Sequence, residues 1–153
     1  LVPESAREFV LRKGAAPERD DVGAIARGQI AAEEAAAERL AAHPDSLQLL
    51  VQDTDLLSTV VYSRHYYGDC PLWIEKAVRQ RAPDLYLLAG IDVPWVPDGD
   101  QRDRGDRREE MQALFRHELI SNEFEFVEVS GSLACRMRDS ISAIDLLLAG
   151  RAF

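Results

Sequence analysis

Asp53 and Asp55 stand one residue apart at the end of the apolar run LQLLV, and Asp92 ends a second such run, DLYLLAGID at 84–92. Carboxylates that follow strand-like segments suit two kinds of chemistry. They can hold Mg²⁺ through waters, or they can take a proton from a hydroxyl. Period-two alternation points Asp53 and Asp55 the same way, provided the strand reaches that far. The competing reading is that each caps the helix that follows, since Asp is a favoured N-cap. For Asp55 both readings stay open; for the pair at a strand's end the functional one is preferred. Arg102, Arg104, Arg107 and Arg108 form a second group, in a segment of dense mixed charge. Planar guanidinium donors match phosphate oxygens and offset the charge of a transferring phosphoryl group. Read without context, the same arginines describe a solvated loop.

These side chains need elements to place them. Pro3 early and Gly14 late bracket a helix over 3–13, and the Ala- and Glu-rich run at 20–42 predicts a long one with its acidic positions on a solvated face. Residues 47–53 read as a short buried strand, 56–67 as a helix, and 71–82 as another helix ended by Pro83. Residues 84–92 read as a second buried strand. The segment from Val93 to about Asp106 carries prolines, glycines and charge, the composition of a loop or lid. A helix then runs through MQALFRHELISN, the alternating FEFVEVSG predicts a third strand, and SLACRMRDSISAIDLLLAG the last helix. Strands separated by long helices predict an α/β domain with a parallel sheet, taken as one domain over 1–153. In such sheets ligands bind outside the carboxyl ends of the strands, where Asp53, Asp55 and Asp92 fall.

Composition narrows the classes. The chain has 153 residues, 46% hydrophobic and 29% charged, with a net charge of −9. That charge argues against a general nucleic-acid partner, whose affinity rests on clustered Lys and Arg. No apolar run approaches the ~20 residues of a membrane span, and a membrane role is not expected. Cys70 and Cys135 lack a CxxC spacing and read as reduced thiols of a cytoplasmic protein. His43 precedes Pro44 near a helix end and reads as structural, His65 and His117 have no metal-binding spacing, and a Cys70–His65 pair has no third group to orient it.

PESAREFV, QDTDLLSTVVYS, the spacing of YYG, CP and Trp73, then DLYLL and PWVPDG after Asp92, in this order, resemble the P-loop kinase domain of NadR-type proteins. That domain is the ribosylnicotinamide kinase half of a bifunctional NAD-salvage protein, within the AAA-like group of predicted ATPases and kinases. The resemblance covers nearly the whole chain. It implies a three-layer P-loop NTPase fold, a parallel sheet flanked by helices, with ATP and Mg²⁺ as cofactors. By this likeness Asp53 ends the Walker-B-like strand and supports Mg²⁺, and Asp55 faces the acceptor. Glu4 and Arg7 match the family's E-x-x-R-E beside the acceptor. Trp95 to Arg108 forms the lid over the phosphates, bringing Arg102, Arg104, Arg107 and Arg108 to them, and Ser130 and Gly131 approach the adenine.

Two departures qualify the match. The phosphate loop G-x-x-x-x-G-K-[ST] occurs nowhere in the sequence. It is expected upstream of Leu1 together with the family's first strand, so the chain is read as an N-terminally truncated domain. Such a chain should bind ATP poorly and could form a homo-oligomer through its exposed sheet. Pro3 also occupies the position of an aromatic residue that would stack on nicotinamide; Tyr62, Tyr66, Tyr67 or Trp73 could stack instead. The first expectation for the full-length protein is phosphoryl transfer from ATP to the hydroxyl of a small nucleoside-like metabolite such as ribosylnicotinamide, an acceptor that the loss of the aromatic residue makes a weaker match. The alternatives are an ATP-binding and hydrolysing switch module, and an inactive scaffold.

Overall fold

In the computed structural model, which describes residues 1–2, 5–44, 48–94 and 107–150, the signals around 3–13 yield helix α1 (Ser5–Lys13). A 3-10 turn at Arg19–Asp21 leads into α2 (Val22–Ala41). The turn is braced by the Asp21 carboxylate, which accepts from Glu18 N at 2.8 Å and pairs with Lys13 Nζ at 2.5 Å. Val22, Ile25, Ala26, Gln29, Glu33 and Ala36 form the buried stripe of α2, three to four residues apart as helix geometry requires. α3 (Leu56–Tyr67) buries Leu56, Leu57, Val60 and Val61, and α4 (Leu72–Gln80) buries Ile74 and Val78. Each fully buried side chain of this size contributes about 1.5–3 kcal/mol.

Local signals set the bounds of α3. Asp55 caps its start, accepting from Leu57 N at 2.9 Å. Gly68 ends it at φ +81, a left-handed conformation that glycine adopts without strain. Arg64 Nη2 to Glu75 Oε1, at 2.7 Å, ties α3 to α4. Ser63 Oγ donates to the Asp69 carbonyl at 2.7 Å, and Arg19 pairs with the Asp69 carboxylate. These elements form one compact unit, Leu1–Gln80.

The other unit, Arg81–Phe153, holds a parallel pair of strands. β1 (Tyr86–Ala89) and β2 (Phe126–Val129) run in register from Tyr86 opposite Phe126 to Ala89 opposite Val129. α5 (Arg108–Ser121) lies between them in sequence and buries Met111 and Leu119. An Arg116–Glu128 ion pair fastens α5 to β2. α6 (Leu133–Leu148) packs on β2. Its N-cap Ser132 accepts from Cys135 N at 3.3 Å.

The architecture is a helix-rich α/β fold with a small parallel sheet. Three expectations change. The strand predicted at 47–53 contracts to an isolated parallel bridge, Val2 opposite Gln52, made by Val2 N to Val51 O and Asp53 N to Val2 O. Val51 is 45% exposed, because no second neighbour covers it among the described residues. The strand predicted at 84–92 is shorter and alternates: Leu88 is buried and Leu87 exposed. The described residues form one two-stranded sheet and one bridge. Glu33, assigned to a solvated face, is 6% exposed. Among the described residues no helix is long and apolar enough to cross a membrane.

Candidate functional site

The carboxylate loop begins where the bridge ends. Asp53 N donates to Val2 O at 3.0 Å, which fixes the backbone of Asp53 beside the chain entering α1. Thr54 then turns at φ +65. A β-branched residue rarely takes this left-handed conformation, and it stops the strand one residue before alternation could bring Asp55 beside Asp53. The shared orientation expected of the two carboxylates therefore does not arise from a continuing strand. Asp55 is half-buried and its Oδ1 serves the first turn of α3. Asp53 is exposed, and its carboxylate has no hydrogen-bond or ion-pair partner among the described residues.

Beneath the loop, Gln29 of α2 donates from Nε2 to the Thr54 carbonyl at 3.2 Å and to Glu33 Oε1 at 3.1 Å. Gln52 Oε1 is buried with no hydrogen-bond partner among the described residues. Arg7 is exposed on α1 in the same unit. Glu4, Arg102, Arg104 and the lid from Trp95 as far as residue 106 lie outside the described residues.

The rim of the other unit is chemically different. Asp92 Oδ2 accepts from Gly131 N at 2.6 Å, and Asp92 Oδ1 pairs with Arg136 Nη2 at 2.5 Å. Arg136 also donates to the carbonyls of Gly131 and Gly90, each at 3.1 Å. The Gly131 N–H, reinforced by the Arg136 guanidinium, holds the Asp92 carboxyl below its ordinary range. Gly90 fits where a Cβ would sit 2.9 Å from Asp92 Oδ1 and 3.1 Å from Ser130 Cβ. Gly131 turns at φ +83, so this corner is built around two glycines. The Gly131 N–H, expected near an adenine, is thus occupied by Asp92, while Ser130 stays exposed. Arg107 is the exposed N-cap of α5, and Arg108 opens that helix.

Sequence reasoning missed Gln29, Glu33 and Arg136. The first two carry a readable signal, since polar residues four apart interrupt an otherwise apolar stripe of α2. Arg136 carries none, because two of its partners, Gly90 and Asp92, lie more than forty residues away in sequence.

The two thiols differ as well. Burial pushes the Cys70 thiol up to about 11, whereas the Ser132 hydroxyl, donating at 3.3 Å, draws the Cys135 thiol down. Two surface recesses lie elsewhere. One of about 190 Å³ is lined by Leu1, Ala36, Arg39, Leu40, Leu49 and Leu50, and the other, of about 420 Å³, by Phe9, Arg12, Lys13 and Ala24. Neither includes Asp53 or Asp55.

Among the described residues no group of three or more His, Cys, Asp and Glu side chains could hold a metal ion. Mg²⁺ does not require such a cage: it keeps most of its waters and takes one or two carboxylates plus substrate phosphates. Asp53 is one of the exposed carboxylates that fit that demand, and it is the one at the end of the bridge. No curated protein matches the chain. A family model described as an AAA domain matches residues 1–136, which span the bridge, the carboxylate loop, both strands and the start of α6, and the chain belongs to that AAA domain family.

Proposed function

We propose that this chain carries part of the machinery for transferring the γ-phosphoryl group of ATP to the hydroxyl of a small nucleoside-like metabolite such as ribosylnicotinamide. In that transfer the hydroxyl oxygen bonds to the γ-phosphorus, the bond from that phosphorus to the β,γ-bridging oxygen breaks, and the hydroxyl proton departs. Catalysis of this kind is positioning plus charge neutralisation. Bound Mg²⁺ would supply charge neutralisation across the phosphates. Asp53 would hold the ion's waters, and Glu4 and Arg7 would line the acceptor side. Arg102, Arg104, Arg107 and Arg108 would cover phosphate oxygens, and Ser130 and Gly131 would border the base.

The observation that carries the reading is the exposed Asp53 carboxylate, without a partner among the described residues, at the end of a parallel bridge in a chain of the AAA domain family. Tyr62 and Tyr66 add support for an aromatic acceptor. Both are exposed on α3, with ring centroids 6.2 Å apart and planes 10° from parallel. Tyr67, by contrast, donates its hydroxyl to the Pro17 carbonyl at 2.7 Å, and Arg27 lies over the Trp73 ring at 5.9 Å.

A second reading, an ATP-hydrolysing switch, draws on Asp55. Its carboxylate is engaged at the start of α3, which leaves fewer groups to receive an acceptor's proton. The test is to incubate the whole gene product with ATP, Mg²⁺ and ribosylnicotinamide and follow the reaction by ³¹P NMR. Phosphorylated acceptor formed one-for-one with ADP supports the kinase. Inorganic phosphate without phosphorylated acceptor supports the switch, and an unchanged ATP spectrum rejects both.

A further inference from the structure

α2 carries two polar side chains where its buried stripe would otherwise be apolar. Gln29 is 2% exposed and Glu33 is 6% exposed. A buried amide donor must find an acceptor, and Gln29 Nε2 serves two: Glu33 Oε1 at 3.1 Å and the Thr54 carbonyl at 3.2 Å. Thr54 lies between the two carboxylates and is one of two non-glycine residues with positive φ among the described residues. If Thr54 relaxed to an extended conformation, the strand would run on through Asp55. The Asp55 side chain would then leave the Leu57 N–H it caps at 2.9 Å.

We propose that Gln29 is a positioning residue of the carboxylate loop. Its bond to the Thr54 carbonyl holds the left-handed turn that keeps Asp53 open to solvent and Asp55 on the N-terminus of α3. Glu33 orients the amide: its carboxylate accepts only, so it faces the Gln29 nitrogen and fixes which way the amide points. The α2 register thereby sets where a magnesium-supporting carboxylate stands. The chemical role of Asp53 rests on the function proposed above, whereas the control of the turn by Gln29 does not.

The experiment uses the whole gene product and two readouts. Hydrogen exchange at the Leu57 amide reports the Asp55 cap. Titration with MnCl₂ in the presence of ATP, followed by electron paramagnetic resonance, reports the metal site. Gln29→Met fills the same space without a donor, and loss of one such bond corresponds to a change of roughly 5- to 10-fold. The Leu57 amide is expected to exchange about 10-fold faster in Q29M, and Mn²⁺–ATP affinity to fall about 5-fold. Adding Thr54→Gly is expected to restore both to within about 2-fold, because glycine takes the left-handed turn unaided.

A residue that merely packs the core would show no such rescue. Unchanged Leu57 exchange in Q29M, or a Q29M/T54G protein that stays impaired, overturns the proposal. If Q29M fails to fold, the double variant decides: cooperative unfolding recovered by T54G supports the proposal, and a double variant that also fails to fold overturns it. Asp53→Asn separates the two readings. If it leaves Mn²⁺–ATP affinity intact while Leu57 responds as expected, the assignment of Asp53 falls and the Gln29–Thr54 coupling stands.

Discussion

Asp53 and Asp92 both end strand-like runs, yet their surroundings are opposite. Asp92 is surrounded by donors: a backbone N–H from Gly131 and the guanidinium of Arg136, itself anchored on two carbonyls. Asp53 is exposed, with no partner among the described residues, on a loop whose strained centre is held from below by Gln29. The difference teaches what each carboxylate can do. A carboxylate neutralised by its own fold joins the ends of two strands and has little charge left to offer a ligand. One kept unpaired remains available to a hydrated cation.

The strongest way to break that contrast is to exchange the charges for amides. Asp53→Asn is expected to lower phosphoryl transfer about 10- to 100-fold, the range seen when a metal's supporting carboxylate is lost. Asp92→Asn is expected to leave transfer within a few-fold of the unaltered protein. Steady-state assays of both variants side by side check this, and equal losses would erase the distinction.

The thiols sharpen the contrast at somewhat smaller scale. With its thiol near 11, Cys70 is about one part in a thousand thiolate at pH 8, whereas Cys135, lowered by Ser132 and placed in the first turn of α6, is far more ionised. A maleimide is expected to label Cys135 at least ~10-fold faster than Cys70. Cys135→Ser should remove the fast phase in a mass-resolved time course; a fast phase that survives in C135S contradicts the assignment.

Asp55 tests the other half of the carboxylate loop. Asp55→Ala should destabilise the first unit by about 1 kcal/mol, the ordinary value of an N-cap, and Asp55→Ser should recover most of it. Denaturant titration of the pair measures this. An alanine variant as stable as the parent would mean that the cap contributes nothing.

The pH dependence of the second unit isolates Asp92. Its folded-state pKa lies below the unfolded value, chiefly because of the Gly131 N–H. Its ionised form therefore stabilises the fold above about pH 4, and that contribution fades as pH falls through the folded pKa. Asp92→Asn should lack this acid-labile component. Asp21 and Asp69, lowered by Lys13 and Arg19 respectively, titrate the same way in the first unit and cancel in the comparison. Thermal melts of parent and variant from pH 3 to pH 7 should converge toward acid.

The smallest effect is expected at Gln52. Gln52→Met removes a buried acceptor that has no partner among the described residues and should raise stability by up to about 1 kcal/mol. A loss of stability on chemical denaturation would show that Oε1 is satisfied after all.

Short-range chemistry was legible in the sequence. Asp55 before an apolar turn and Gly68 after it bound α3 at Leu56–Tyr67, as predicted, because capping is a matter of a few adjacent backbone groups. The alternation of FEFVEV located β2, although pairing with a single neighbour trimmed it to Phe126–Val129. What failed depended on distant partners. The strand at 47–53 had the right composition, but a strand exists only through what pairs with it, and here Val2 is its partner for a single bridge. Glu33 read as solvated because acidic residues are usually exposed; Gln29, one turn away, lets it stay buried.

The order of residues by itself determined where helices start and stop, which runs extend, and which carboxylates follow strand-like segments. All of these follow from backbone preferences acting over a few neighbours. Only the tertiary structure decided which carboxylate is neutralised and which is left open. That depends on Arg136 reaching Asp92 across forty-four positions and on Gln29 reaching Thr54 across twenty-five, and no local pattern encodes the meeting of groups so far apart.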